Sequence, residues 1–209
     1  LEYSLMFGKP ILHHPESIEL SRGGVMHEGR TSLVLGLAGM PAEAEDVMTS
    51  RDIRLTEATG GRLHLLNISS SVSIELVRRT KLRGVNLTAG VCAINFVLTD
   101  ETLRSFDSHY KLNRPLRSRD HVEACIAGLK FGTIDVISSG HAPRASEKKM
   151  QELDLAPFGM SSLETTLPLV ITYLIEPRRI PWPGALAKPG RHAANILRLP
   201  TGPHRIGAD

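Results

Sequence analysis

Cysteine, aromatic residues and long apolar runs are all scarce in this chain, and each scarcity removes a class of function. Only Cys92 and Cys125 are present. They lie far apart in apolar contexts, so they read as buried thiols in a reducing compartment rather than as a disulfide framework. Phe, Trp and Tyr together make up 4% of the 209 residues, too little for a base-stacking platform. No run of about 18 apolar residues occurs, and no signal peptide opens the chain, so no membrane association and a cytoplasmic location are expected. A dominant charge is missing too: 25 basic residues face 22 acidic ones, a net charge of +3. The pairs Arg78-Arg79, Lys148-Lys149 and Arg178-Arg179 read as solvated faces, and no nucleic-acid stripe is expected. Position 1 lacks methionine. The end, at Gly207-Ala208-Asp209, falls where a further strand is expected. Both ends read as cuts through a larger domain.

What is present is enough apolar sequence, 41%, for a single domain over residues 1–209 with a sizeable core. Short apolar runs alternate with amphipathic stretches. Strands are expected at Pro10–His14, Leu63–Leu66, Val85–Ala89 and Ile134–Ser138. A helix is expected over Ala42–Thr59, closed by Gly60-Gly61. Ser69-Ser70-Ser71 cap a second, running to Arg83 and stopped by Gly84. A short helix begins at Thr99-Asp100-Glu101. Another begins at Ser118 and carries Val122, Ile126 and Leu129. A further one spans about Ser161–Ile175 with a break near Pro168, and a last covers Ala193–Leu197. Strand–helix alternation with right-handed crossovers means a parallel α/β layout. The pattern alone does not separate a barrel from an open sheet.

Parallel α/β enzymes carry their chemistry at the carboxyl ends of strands. Those ends hold His13-His14 with Glu16, then Asn67, then Gly90-Val91-Cys92, then Gly140-His141. Histidine there is a natural zinc ligand. A hydrogen-bonded structural histidine is the plainer alternative.

The segment Ile134-Asp135-Val136-Ile137-Ser138-Ser139-Gly140-His141-Ala142-Pro143-Arg144 resembles the dihydroorotase signature, which ends a barrel strand in Asp-His-Ala-Pro-His. Other motifs follow in family order across nearly the whole chain. They are Leu12-His13-His14-Pro15-Glu16, Gly23 to Gly29, Leu35 to Pro41, Asn113-Arg114-Pro115-Leu116-Arg117, Ala156-Pro157-Phe158-Gly159, Leu163-Glu164-Thr165 and Ala193 to Leu197. The Ala156-Pro157-Phe158-Gly159 and Leu163-Glu164-Thr165 contexts argue against a related allantoinase. The resemblance implies a partial (β/α)8 barrel of the metal-dependent hydrolases, truncated at its amino end. It also implies interconversion of N-carbamoyl-aspartate and dihydroorotate in pyrimidine synthesis, with zinc as the family's cofactor. It puts His14 at one metal-ligand histidine and Asn67 at another, where Asn is a poor zinc ligand. Gly140 stands at the catalytic aspartate, and Arg144 at a histidine that holds substrate carboxylate. Asn113, Arg144, Pro157 and Gly159 fall in the substrate-binding set. His14 alone of the expected ligands remains, so tight zinc binding is not expected. An inactive chain with weak or no affinity for the small-molecule substrate is the expectation. The alternative is a non-catalytic structural subunit that partners aspartate carbamoyltransferase. Open strand edges predict a homo-oligomer or dependence on a partner.

Overall fold

The computed structural model describes residues 1–200, so the carboxyl-terminal Gly207-Ala208-Asp209 lies outside the described residues. Four parallel strands form the main sheet: β1 (Ile11–His13), β4 (Leu63–Leu65), β5 (Leu87–Cys92) and β6 (Val136–Ser138), in the spatial order β1-β4-β5-β6. Ile11 pairs with Leu63, Leu63 with Leu87, and Gly90 with Val136. Between β1 and β4 the chain inserts a two-stranded parallel sheet, β2 (Met26–His27) with β3 (Gly39–Met40). It packs its own small core of Val25, Met26, Leu103 and Leu153. The sequence reading carried the glycine-rich stretch around β2 and β3 only as motifs. At Gly39 an added Cβ would meet Glu28 Cβ at 2.5 Å, so the close strand approach requires glycine.

Each main helix forms for an identifiable reason. Helix Glu43–Thr59 starts with Glu43, Glu45 and Asp46 against its positive end and closes on Gly60 in the left-handed region. Its buried face is Glu45, Thr49, Asp52, Ile53 and Thr56, spaced three and four apart. Helix Ser71–Leu82 is capped by the Ser70 hydroxyl, which accepts from Val72 N. Helix Arg119–Lys130 buries Val122, Cys125, Ile126 and Leu129. Strands β4 and β5 are buried on both faces, as a parallel sheet covered by helices requires. Leu65, Ile68, Val77, Val91, Leu129 and Ile137 make the core between them.

Several elements differ from expectation. β5 begins at Leu87 and runs on to Cys92, because Gly90 and Val91 pair with Val136 and Ile137 of the next strand. The Ser161–Ile175 segment becomes a helix only at Thr166. Pro168 then sits in the first turn, where its missing N–H breaks nothing, and a wide π turn over Ile171–Ile175 completes the segment. Helix Trp182–Ala187 and the turn Lys188–His192 were not expected; the prolines there obscure the pattern. Both cysteines are free and buried. Among the described residues no helix is long and apolar enough to cross a membrane.

β1 forms one edge of the sheet, with Ile11 37% and Leu12 44% exposed. Tyr3, Met6 and Phe7, just before it, are also exposed. A parallel edge with apolar side chains in water is a pairing template. We expect the isolated chain to self-associate in size-exclusion chromatography with light scattering, and Leu12→Lys to reduce it. A monodisperse monomer with a cooperative melt would contradict this.

Candidate functional site

All four strands point the same way, so residues just past their ends gather at one rim. The chain past β4 delivers Asn67, β5 delivers Cys92, β6 delivers Ser138, and the chain past β6 delivers Ser139, Gly140 and His141. These line a pocket of about 390 Å³ together with Asn95, Asn113, Arg114, Met160 and Ser162. Asn67 has φ +52°, a conformation Asn tolerates better than most residues. Its Oδ1 accepts a 2.6 Å hydrogen bond from Ser138 Oγ. The bridge between His141 and Met160, with Ala142 N donating to Met160 O at 2.9 Å, closes the wall.

The residues singled out from sequence divide into two groups. Gly140, Asn67 and Asn113 meet in the pocket. Arg144, Pro157 and Gly159 do not line it. Arg144 is exposed and its Nε donates to Phe158 O at 2.8 Å. Pro157 O accepts from Lys149 Nζ at 2.9 Å. Gly159 has φ +127°, and its N donates to Lys111 O at 3.0 Å. These three hold the loop that carries Met160 and Ser162 to the pocket. His14 also stays off the pocket wall. Its Nδ1 is 3.9 Å from Glu16 Oε2. Burial, followed by the charge of Arg114, lowers its pKa to about 4.

Sequence reasoning missed Arg114. The signal was in plain view, since Arg114 lies beside Asn113 within one of the motifs that carry the resemblance. Its side chain is 2% exposed. Nη2 donates to Pro15 O, Nη1 lies 3.7 Å from Glu16 Oε2, and Nε lies 3.5 Å from Glu45 Oε2. Glu45 is completely buried. It accepts from Ser69 N, Ser69 Oγ and Ser70 N at 2.7–2.9 Å and from Arg117 Nη2 at 3.3 Å. Burial works to raise its pKa, but Arg114, Arg117 and these donors outweigh it and hold the carboxyl below the usual value. Arg117 Nη1 lies 3.1 Å from His27 Nδ1. Burial, then Arg117, lowers the pKa of His27 to about 3.

Gly140 is fixed by its surroundings. It has φ +62°, and an added Cβ would meet Cys92 Sγ at 2.6 Å. The adjacent His141 accepts at Nδ1 from Ser162 N at 3.1 Å and Leu163 N at 3.2 Å. The hydrogen of the neutral ring is thereby left on Nε2.

Zinc takes imidazole nitrogen, thiolate and carboxylate oxygen. The pocket wall offers amides, hydroxyls and a guanidinium, and of the zinc-type donors only the Cys92 thiol and His141. Among the described residues no three His, Cys, Asp or Glu side chains are grouped to hold a metal ion. The residues present do not fit zinc.

Comparison with known proteins places this architecture. No protein-family model matches the chain. L-hydantoinase (dihydropyrimidinase) from Arthrobacter aurescens superposes on 94% of the chain with a TM-score of 0.82 at 20% identity, over 45% of its own length. D-hydantoinase from Bacillus sp. AR9 superposes on 92% with a TM-score of 0.81, also at 20% identity and over 45% of its length. The fold is therefore that of a partial (β/α)8-type barrel. The sequence relatives are more specific. The putative dihydroorotase of Rhodopirellula baltica is 48% identical over 209 residues, all of this chain and 46% of that protein. The dihydroorotase of Pelotomaculum thermopropionicum is 46% identical over 209 residues, all of this chain and 49% of that protein. The chain belongs to the dihydroorotase family and spans about half the length of the curated relatives it matches.

Two outcomes are expected. Gly140→Asp should destabilise the chain by about 2 kcal/mol, the scale of overpacking a filled site. Aspartate tolerates positive φ, so the contact with Cys92 dominates, and adding Cys92→Ala should restore at least half of the loss in urea unfolding. An equally unstable double variant would mean that the backbone, not the thiol, excludes the side chain. Stability should also fall with acid. Unfolded His14 and His27 take up protons from pH 6.5 downward while the folded forms resist to about 4 and about 3. Unfolding is thus favoured as pH drops through that window. Glu16 and Glu45, lowered from 4.5 in the fold, extend the loss below it. Urea midpoints at pH 7.5, 5.5 and 4.5 should decrease in that order.

Proposed function

We propose that this chain is a dihydroorotase-type barrel segment that no longer catalyses cyclic-amide hydrolysis. One observation carries the reading: the strand-end pocket joins Gly140 and Asn67, the positions of a proton-transfer aspartate and a ligand histidine by resemblance, to the guanidinium of Arg114. Opening a cyclic amide requires a group to move a proton to the leaving nitrogen. Gly140 has no side chain to do so. His141 does not take its place, because both Nδ1 contacts are donors to the ring and Nε2 already carries hydrogen. A cation held beside Arg114 would also be repelled by it. Zinc, the family's metal by resemblance, is on this reading not held tightly, and affinity for dihydroorotate or carbamoyl-aspartate is weak.

The apolar edge at Ile11 and Leu12 favours a second reading, in which the segment is a structural subunit completed by a protein partner such as aspartate carbamoyltransferase. Co-elution with that enzyme would support it, and independent elution would remove it.

The purified chain should consume no dihydroorotate above buffer background with zinc present. It should retain no stoichiometric zinc after equilibrium dialysis and elemental analysis. Asn67→His with Gly140→Asp should remain inactive. Turnover by the unmodified chain would end the proposal.

A further inference from the structure

A groove of about 670 Å³ lies away from the strand ends, where the turn Ile171–Ile175 leads on to helix Trp182–Ala187. Ile175 and Ile180, both buried, form its floor. Pro181, Trp182 and Pro183 line it with apolar surface, and Glu176 and Arg178 line it with opposite charges. Trp182 is 52% exposed and is the only tryptophan of the chain. Glu176 and Arg178 are exposed as well. Among the described residues neither side chain makes an ion pair, unlike Glu57, Glu75 and Glu101, which each hold an arginine.

Backbone hydrogen bonds fix the shape of the groove. Arg179 N donates to Leu174 O at 2.9 Å and Arg178 N to Ile175 O at 2.8 Å, the two bonds of a Schellman motif. Its left-handed residue is Arg178, at φ +57°. Glycine usually fills that place, because a side chain there strains the backbone. Such strain is typical of positions whose side chain has a task beyond the fold.

A two-fold interface must be self-complementary, since each patch meets a copy of itself. Two unpaired charges of one sign would repel their own copies. One acid and one base on either side of an apolar centre attract them. We propose that two copies of this chain pair across the groove, with Glu176 of each facing the partner's Arg178 and each Trp182 ring covered by the partner's apolar wall. Exposed tryptophan and arginine are the side chains that most often dominate protein interfaces. Arg179, the next cation in sequence, does not line the groove. The groove shares no residue with the β1 edge or with the strand-end pocket, so the pairing stands whether or not the chain turns over a substrate.

The single tryptophan reads the test. As the purified chain is concentrated to about 0.5 mM, the range in which a small interface associates, Trp182 emission should move to shorter wavelength while sedimentation velocity reports a dimer. Leu12→Lys, which blunts the β1 edge, should leave that shift in place. Glu176→Arg alone and Arg178→Glu alone should each weaken pairing by roughly tenfold or more. An equimolar mixture of the two variants should pair to within about threefold of the parent chain, because every arginine then faces a glutamate again. Arg178→Gly should stabilise the fold against urea yet weaken pairing, a combination that a purely structural arginine would not give. If Arg178→Glu does not fold, Arg178→Gly decides, and unchanged pairing by it overturns the proposal. Absence of a shift up to the highest concentration overturns it too, as does a shift lost with Leu12→Lys or a mixture that pairs no better than its components.

Discussion

Glu45 is the constraint on which the rest of this structure depends. Its carboxylate is fully buried, and an isolated buried charge is untenable without partners. It stands on helix Glu43–Thr59 yet takes its hydrogen bonds from the chain that follows β4, at Ser69 and Ser70. It takes its countercharges from the loop that carries Arg114 and Arg117. Three segments far apart in sequence are thereby fixed to one another. With both arginines present the cluster of Glu16, Glu45, Arg114 and Arg117 is charge-balanced, and the histidines around it are kept from protonation by burial and by those same arginines.

Arg114 supplies half of the compensation for the two acids, and it also lines the pocket. Replacing the acids by apolar groups would leave the arginines buried and uncompensated, at greater cost than losing the whole cluster.

The fold was largely legible from the sequence, and the site only in part. Alternating apolar runs located all four strands of the main sheet, and Gly60, Gly84 and Ser70 marked helix ends because their roles are local. Strand β5 was misplaced at its end because its extension depends on pairing with β6, which no local pattern records. Helix Trp182–Ala187 hid behind prolines. At the site, Gly140, Asn67 and Asn113 could be found by motif position. Arg144, Pro157 and Gly159 were adjacent in motif but serve the supporting loop, since position along a motif does not report direction in space. Arg114 was overlooked because a residue inside a matching motif reads as part of the match until its burial is known.

Gly140 and Cys92 are a matched pair: the thiol fills the space that any side chain at residue 140 would enter. Substitutions at these two positions are therefore order-dependent. A carboxylate fits at residue 140 cheaply only once residue 92 has shrunk, and a smaller residue 92 alone leaves a gap in the wall. The two positions therefore hold each other in place, each single change costing more than its share of the double one.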